Sequence, residues 1–126
     1  MNNAKKLPKV LVVDDEPVIL ETFKAIFDGH FEVLTVGCGR DALDEIRKSS
    51  INLVFMDLGI PDMGGMRVLA KIKEQDNNLP VIIITGNDNQ AVKGEAKRLG
   101  AVDYIDKPFD IEQILNMARK TLNKNK

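Results

Sequence analysis

Apolar residues occur along this chain in two alternating patterns, short continuous runs and longer segments with helical spacing. The runs are rich in valine and isoleucine, and their lack of internal alternation is typical of strands covered on both faces of a parallel sheet. Five such strands are predicted, at residues 10–13, 31–36, 51–56, 80–85 and 101–105. The segments between and after them predict five helices. Right-handed crossovers would wind the chain into a doubly wound α/β fold with five parallel strands.

The predicted helices differ in the strength of their apolar faces. The first has Pro17 near its first turn, where the missing N–H is harmless, and Gly29 at its end. The fourth, at residues 89–99, has Gly94 in its interior, which costs roughly 1 kcal/mol relative to alanine. Its apolar face is also thin, so we expect it to repack more easily than the fifth. The predicted apolar faces of the first, fourth and fifth helices are Ile19, Phe23, Ile26 and Phe27; Val92, Ala96 and Leu99; and Ile111, Ile114, Leu115, Ala118 and Leu122.

Length and composition favour one globular domain. The chain has 126 residues, of which 44% are hydrophobic and 29% charged. This balance supports a single core and argues against disorder. We expect one domain over residues 1–126, with an ordered core at about residues 8–122 and a polar tail at residues 123–126. The net charge of -1 lacks the basic excess of a nucleic-acid-binding domain.

The rarer residue types exclude several kinds of site. Cys38 is the only cysteine and His30 the only histidine, which excludes an internal disulfide and any site with two histidines. No apolar run approaches the roughly 20 residues that a membrane-spanning helix requires. The first apolar run meets three acidic residues almost at once, unlike a signal peptide. We therefore expect a cytoplasmic location and no contact with a membrane.

Polar residues stand at the ends of four of the five predicted strands. Asp14 and Asp15 follow the first, Asp57 follows the third, Thr85 ends the fourth, and Lys107 follows the fifth. Parallel strands all end at one edge of the sheet, where ligands bind in this class of fold, so these side chains are predicted to converge. Taken singly, each has an ordinary alternative role, such as a helix cap at Asp15 or a turn at Asp57. Their combination at one edge favours a functional site.

The chemistry of this set is that of metal-assisted phosphoryl transfer. Three carboxylates brought close together repel one another, and a hard divalent cation such as Mg²⁺ relieves the repulsion. A lysine and a hydroxyl beside the cation can hold the oxygens of a phosphoryl group. One carboxylate then remains available as a nucleophile.

The same residues resemble the motifs of a known family. They are Asp14-Asp15, Met56-Asp57 followed by Pro61 and Gly65, Thr85-Gly86, and Tyr104-Ile105-Asp106-Lys107-Pro108-Phe109. In this combination the chain resembles the receiver domain of two-component response regulators over essentially its whole length. The resemblance implies a flavodoxin-like sheet with strand order 2-1-3-4-5. In that order the first and third strands are neighbours, which sets Asp15 beside Asp57.

The resemblance implies that Asp57 is a phosphoacceptor. Its carboxylate would receive the phosphoryl group of a phosphohistidine on a histidine kinase or a histidine phosphotransfer protein. Asp15, Asp57 and the backbone carbonyl of Gly59 would bind Mg²⁺ directly, with Mn²⁺ as a possible substitute. Asp14 would act mainly through a metal-bound water.

Residues of the fourth and fifth strands would sense the added charge. By the same resemblance, Thr85 and Lys107 each contact a phosphoryl oxygen, and Tyr104 is the switch aromatic that turns inward when Thr85 moves. The Lys107–Pro108 peptide bond is expected to be cis. The face formed by the fourth helix, fifth strand and fifth helix would then control an unidentified output partner or a phosphorylation-dependent homodimer. Such a protein promotes its own phosphorylation and dephosphorylation and is not a turnover enzyme.

Three positions bear on how closely the chain follows the family pattern. Gly64 replaces the Asp or Asn that is common just before Gly65, a change expected to affect only the loop. Gly59 and Asn87 occupy positions that, in the family, influence how quickly the phosphoryl group is lost. Neither residue is bulky, so nothing there is expected to screen attacking water.

Three alternative functions share some of these features. Gly37-Cys38-Gly39 before Ala42 fits a dinucleotide-binding turn, but it follows an edge strand, and Asp41 has the wrong charge for a pyrophosphate. A small phosphatase or hydrolase with an aspartyl-phosphate intermediate would have a D-x-D pattern after the first strand, where this chain has adjacent aspartates. A receiver that only binds partners is disfavoured because every phosphorylation residue is present.

Overall fold

Five parallel strands in the order β2-β1-β3-β4-β5 form the central sheet. The structure is a computed structural model that describes residues 6–86 and 90–124. The strands are β1 (Lys9–Val13), β2 (Glu32–Val36), β3 (Leu53–Asp57), β4 (Val81–Thr85) and β5 (Asp103–Asp106). The helices are α1 (Pro17–Phe27), α2 (Gly39–Lys48), α3 (Gly65–Gln75), α4 (Gln90–Arg98) and α5 (Ile111–Lys124). The predicted α/β class and strand order are confirmed.

Helices cover both faces of the sheet, which is why its central strands are continuous apolar runs. On one face α2, α3 and α4 contribute buried side chains, and on the other face α1 and α5 do so. The helical members of the first layer are Ala42, Leu43, Val68, Leu69, Ile72 and Ala96. Those of the second are Phe23, Ile26, Phe27, Ile114 and Ala118. The carboxyl ends of the strands carry the polar residues singled out above.

The first turn of α2 is capped from a distant loop. Asp62 accepts hydrogen bonds from the backbone N–H groups of Gly39 (3.0 Å) and Arg40 (3.1 Å). A Cβ added at Gly39 would lie 2.5 Å from Cγ2 of Val68 and 2.9 Å from Cγ of Met63, so glycine permits the close approach of α2 and α3. The amides of the turn that fits a dinucleotide motif are therefore bound by a side chain of the same protein.

The apolar face predicted for α4 is only partly correct. Ala96 is buried, but Val92 and Leu99 are half-buried, and the most enclosed polar side chain of the helix is Lys93. Its ammonium group pairs with Asp106, and hydrophobic periodicity alone cannot anticipate such a pair. Asn89, predicted as the start of this helix, lies outside the described residues.

One residue predicted on the apolar face of α5 is exposed. Ile111 is 59% exposed because it is the first helical residue after the loop at the sheet edge. At its other end, α5 is described as far as Lys124, and residues 125–126 lie outside the described part of the chain. None of the helices in residues 6–86 and 90–124 combines the length and apolar character that a membrane crossing needs.

Candidate functional site

Three carboxylates meet at the carboxyl edge of the sheet. β1 and β3 are neighbours, and Val13 is paired with Met56, so Asp14 and Asp57 come next to each other at the strand ends. One carboxylate oxygen from each of Asp14, Asp15 and Asp57 lies within 4.8 Å of the other two. Asp15 is exposed, whereas the side chain of Asp57 is only 13% exposed. The structure thus brings together the three acidic residues singled out in the sequence.

Asp14 is fully buried and only partly satisfied by hydrogen bonds. Its Oδ1 accepts a hydrogen bond from the backbone N–H of Glu16 (2.9 Å), while Oδ2 is enclosed without a hydrogen-bond partner among the described residues. Burial raises the pKa of Asp14, and the charge of Asp57 adds to this effect against the opposing influence of the Glu16 hydrogen bond. A buried carboxylate oxygen that accepts no hydrogen bond destabilises the folded protein unless a nearby positive charge neutralises it.

Lys107 brings a positive charge to the carboxylates. Its Nζ lies 3.6 Å from Asp14 Oδ2, 3.9 Å from Asp57 Oδ2 and 3.0 Å from Glu16 Oε1. Partial burial lowers the pKa of Lys107, but the hydrogen bond to Glu16 and the charges of Asp57 and Asp14 outweigh this, so the pKa is raised. Lys107 is therefore protonated at neutral pH. The peptide bond that joins it to Pro108 is cis.

The other residues singled out in the sequence lie around this cluster. Thr85 ends β4, is 4% exposed, and accepts a hydrogen bond at its backbone carbonyl from the N–H of Lys107 (2.8 Å). Gly59 lies beside the acceptor candidate, since an added Cβ would be 3.7 Å from Asp57 Oδ2. Tyr104 is half-buried on β5, with its ring under the ammonium group of Lys93. Asn87 lies outside the described residues.

Two adjacent glycines between β3 and α3 occupy their positions for different structural reasons. At Gly65 a Cβ would lie 2.6 Å from the Cα and 2.9 Å from the carbonyl oxygen of Leu58, so the backbone itself leaves no room for a side chain. At Gly64 there is open space, but φ is +79° and ψ is 143°, a conformation that side-chain-bearing residues rarely adopt. The departure from the family pattern at position 64 is therefore confined to the loop backbone.

Sequence reasoning gave no role to three residues near the site. Glu16 forms the shortest of the three contacts of Lys107, and its position directly after Asp14-Asp15 was the available signal. Lys93 of α4 and Asp106 of β5 form an ion pair of 3.0 Å. For these two, only the packing of α4 against β5 reveals the contact.

The donor set fits a hard divalent cation. Asp14, Asp15 and Asp57 offer carboxylate oxygens at one point, and Oδ2 of Asp14, which accepts no hydrogen bond from the described residues, is an oxygen that a metal ion would satisfy. The described residues contribute no sulfur or imidazole to this cluster, and oxygen-only ligation suits Mg²⁺ or Mn²⁺. The single positive charge of Lys107 does not neutralise the three carboxylates, so the cluster keeps an excess of negative charge that favours the binding of such an ion.

Comparison with known proteins identifies the family. The family described as the response regulator receiver domain matches residues 10–119. This chain belongs to it. Receiver domains act in two-component signalling and phosphorelays, are signalling proteins rather than enzymes that turn over an external substrate, and typically use Mg²⁺ at an acidic pocket.

Two relatives and one solved structure each match at least 90% of this chain. Sporulation initiation phosphotransferase F of Bacillus subtilis is 35% identical over 115 residues, covering 90% of this chain and 93% of that protein. The probable transcriptional regulatory protein TcrX of Mycobacterium tuberculosis is 34% identical over 116 residues, covering 91% of this receiver domain and 50% of that protein. A CheY-like receiver domain structure from Methanospirillum hungatei superposes with a TM-score of 0.91 at 27% identity, covering 95% and 97% of the two chains. The chain thus spans about half the length of TcrX and nearly all of the other two.

Proposed function

We propose that this receiver domain accepts a phosphoryl group on Asp57 from a phosphohistidine of a histidine kinase or histidine phosphotransfer protein, and that the added charge switches the α4–β5–α5 face. The observation that carries the proposal is the packing of Asp57 close to Lys107, Asp15 and Asp14, whose Oδ2 accepts no hydrogen bond from the described residues. One relative of nearly equal length is named a phosphotransferase, which agrees with transfer of a phosphoryl group.

The proposed reaction is an exchange of one bond to phosphorus for another. A carboxylate oxygen of Asp57 forms a P–O bond while the P–N bond of the donor phosphohistidine breaks. The donor ring carries a proton on its other nitrogen, so it leaves as a neutral imidazole, and Asp57 becomes an acyl phosphate. Lys107 stays protonated and faces the oxygens that carry the developing charge. Thr85, at the end of the neighbouring strand β4, offers a hydroxyl to another phosphoryl oxygen.

Asp14, Asp15, Asp57 and the carbonyl of Gly59 are the groups that would hold Mg²⁺, or Mn²⁺, in this proposal. When bound, the ion supplies positive charge that offsets the repulsion between carboxylates and an incoming phosphoryl group. The buried position of Asp14 keeps one oxygen of the set away from bulk water. Asp57 itself retains slight exposure, which leaves an approach for the donor.

We further propose that residues 1–126 form a single receiver domain that exchanges its phosphoryl group in the cytoplasm. The output would be read on α4, β5 and α5, because Thr85 and Lys107 stand at the ends of β4 and β5 and Tyr104 lies on β5. The reader would be an output domain, a separate protein, or a second copy of the chain.

The test is labelling by a small phosphodonor. With Mg²⁺ and acetyl phosphate, the wild-type protein should gain the mass of one phosphoryl group, and Asp57→Asn should gain none, as measured by intact mass. Asp76→Asn is a matched control, because Asp76 is an exposed residue just after α3 and outside the carboxylate cluster. Labelling of Asp57→Asn at the wild-type level would refute the role of Asp57. Steady turnover of a small phosphate ester would instead favour a phosphatase.

A further inference from the structure

A buried lysine of α4 contacts side chains of β5. The side chain of Lys93 is 7% exposed, and its Nζ lies 3.0 Å from Asp106 Oδ2 and 4.6 Å from the centroid of the Tyr104 ring. Lysine is rarely buried to this extent unless it is paired. Here a carboxylate and the face of an aromatic ring both stabilise the ammonium group.

The two β5 residues that Lys93 contacts lie on one face of the sheet. Tyr104 and Asp106 are two positions apart, so their side chains leave β5 in the same direction. That is the face covered by α2, α3 and α4, since Tyr104 packs against the layer that includes Ala96. Lys93 therefore spans from α4 to two successive side chains of the same strand face.

Asp106 is linked through the backbone to both proposed phosphoryl contacts. Across the β4–β5 pairing its partner is Thr85, and along the chain its neighbour is Lys107. The N–H of Lys107 also donates to the carbonyl of Thr85 at 2.8 Å. A movement of the Thr85 and Lys107 backbone toward a phosphoryl group would therefore also displace Asp106.

We propose that Lys93 is a positioning residue that holds α4 against β5 and favours the conformation described here over the phosphorylated one. The proposal rests on the proposed function of Asp57. Lys93 acts through Asp106 and Tyr104 and does not touch the phosphoryl group. Loss of its charge removes interactions that favour the starting state, so the phosphorylated conformation forms at a lower free-energy cost.

The experiment measures the affinity for beryllofluoride, a phosphoryl mimic, in the presence of Mg²⁺. Lys93→Met keeps an unbranched apolar stem and removes the charge, and it should bind beryllofluoride about three- to tenfold more tightly than the wild type, because an ion pair with one exposed partner contributes modestly. Asp106→Asn should act in the same direction. Its side chain is 49% exposed, so this substitution tests the pair without disturbing the core.

Two controls separate the charge pair from a general effect on α4. Lys97→Met removes an exposed lysine one turn further along the helix and should leave the affinity unchanged. Lys93→Arg restores the charge and should restore the wild-type affinity. Tyr104 is the only tyrosine, so one set of ring signals from a ¹³C-tyrosine-labelled sample should shift in Lys93→Met before beryllofluoride is added, which a purely structural effect elsewhere would not produce.

The outcomes distinguish this inference from the function on which it rests. If the wild type fails to bind beryllofluoride while Mg²⁺ is present, the proposed function fails, and the role of Lys93 fails with it. If the wild type binds but Lys93→Met and Asp106→Asn bind equally or more weakly, only the role of Lys93 is overturned. Unchanged Tyr104 signals in Lys93→Met would overturn it as well.

Discussion

Asp62 adopts a left-handed backbone conformation, with φ of 65°, and uses both carboxylate oxygens to cap α2. Aspartate tolerates this conformation better than most residues other than glycine. The hydrogen bond from the Gly39 N–H, with that from Arg40, lowers the pKa of Asp62 despite some opposing desolvation. The cap also fastens the loop that follows Asp57, because the two residues belong to the same β3–α3 connection.

Asp62 should make the stability of the protein depend on pH in a defined direction. Its pKa is lower in the folded protein than the ordinary value of 3.8, so its charged form contributes stability above pH 3.8 that is lost as the pH falls through the folded-state pKa. We expect Asp62→Asn to unfold at lower urea concentration than the wild type at neutral pH. The difference between the two midpoints should shrink below pH 3.8. A difference that persists in acid would contradict this account.

At the scale of single residues, the sequence predicted those whose place is set by the strands. Asp14, Asp57 and Lys107 follow apolar runs, and parallel strands bring such positions to one edge. Glu16 and Lys93 escaped prediction because their partners, Lys107 and Asp106, are distant in sequence or lie across a helix–strand contact. Side-chain reach of this kind depends on packing, which no local pattern records.

At the scale of elements, two glycines with opposite surroundings test how tightly the helices are seated. Gly39, at the start of α2, is pressed against Val68 and Met63 of the neighbouring chain segment. Gly94, inside α4, has no atom within 4 Å of an added Cβ in the described part of the chain. The same substitution should therefore have opposite effects at the two positions.

We expect Gly39→Ala to lower the free energy of unfolding by about 1–3 kcal/mol, because the added methyl group overpacks the contact with α3. Gly94→Ala should raise it by about 0.5–1 kcal/mol, because alanine favours the helix and meets open space. Urea unfolding of both variants beside the wild type measures the two changes, with equal m-values as the control for an unchanged denatured state. If both substitutions changed the free energy of unfolding in the same direction, the difference in packing around the two glycines would be contradicted.

The ends of a helix could be predicted where local backbone chemistry sets them. Pro17 and Gly29 mark the two ends of the α1 segment by backbone chemistry, and the structure has Pro17 at the first helical position and Gly29 at φ +81°. The apolar face of α4 was predicted less well. That helix has few apolar residues, and the burial of Lys93 depends on its contacts with Asp106 and Tyr104 of β5.

At the scale of the whole molecule, the carboxylate cluster opposes folding when no cation is present. Asp14 is buried, its Oδ2 lacks a hydrogen bond within the described residues, and Asp57 adds a like charge nearby. An ion that binds the folded state alone stabilises it by mass action, by about 2.7 kcal/mol at a concentration one hundred times its Kd. Binding of a metal ion at this cluster would therefore raise the free energy of unfolding.

Thermal unfolding should show this coupling. Saturating Mg²⁺ should raise the melting temperature of the wild type by several degrees. Asp14→Asn removes the buried charge, so it should melt higher than the wild type without Mg²⁺ and gain less when Mg²⁺ is added. Asp76→Asn, outside the cluster, should gain as much as the wild type. A wild-type melting temperature that does not respond to Mg²⁺ would contradict the metal assignment.

The place of Asp57 within the sheet has a consequence for how such a protein can be altered. β3 is hydrogen-bonded on both sides, to β1 and β4, whereas β5 is a four-residue rim strand held along one side by β4. In the proposed function, the phosphoryl group is therefore added on a strand paired on both sides, and the face that responds includes a strand paired on one side only. If that proposal holds, the partner that reads the signal could be changed by substitutions on β5, provided that Lys107 and the carboxylates at the ends of β1 and β3 are kept.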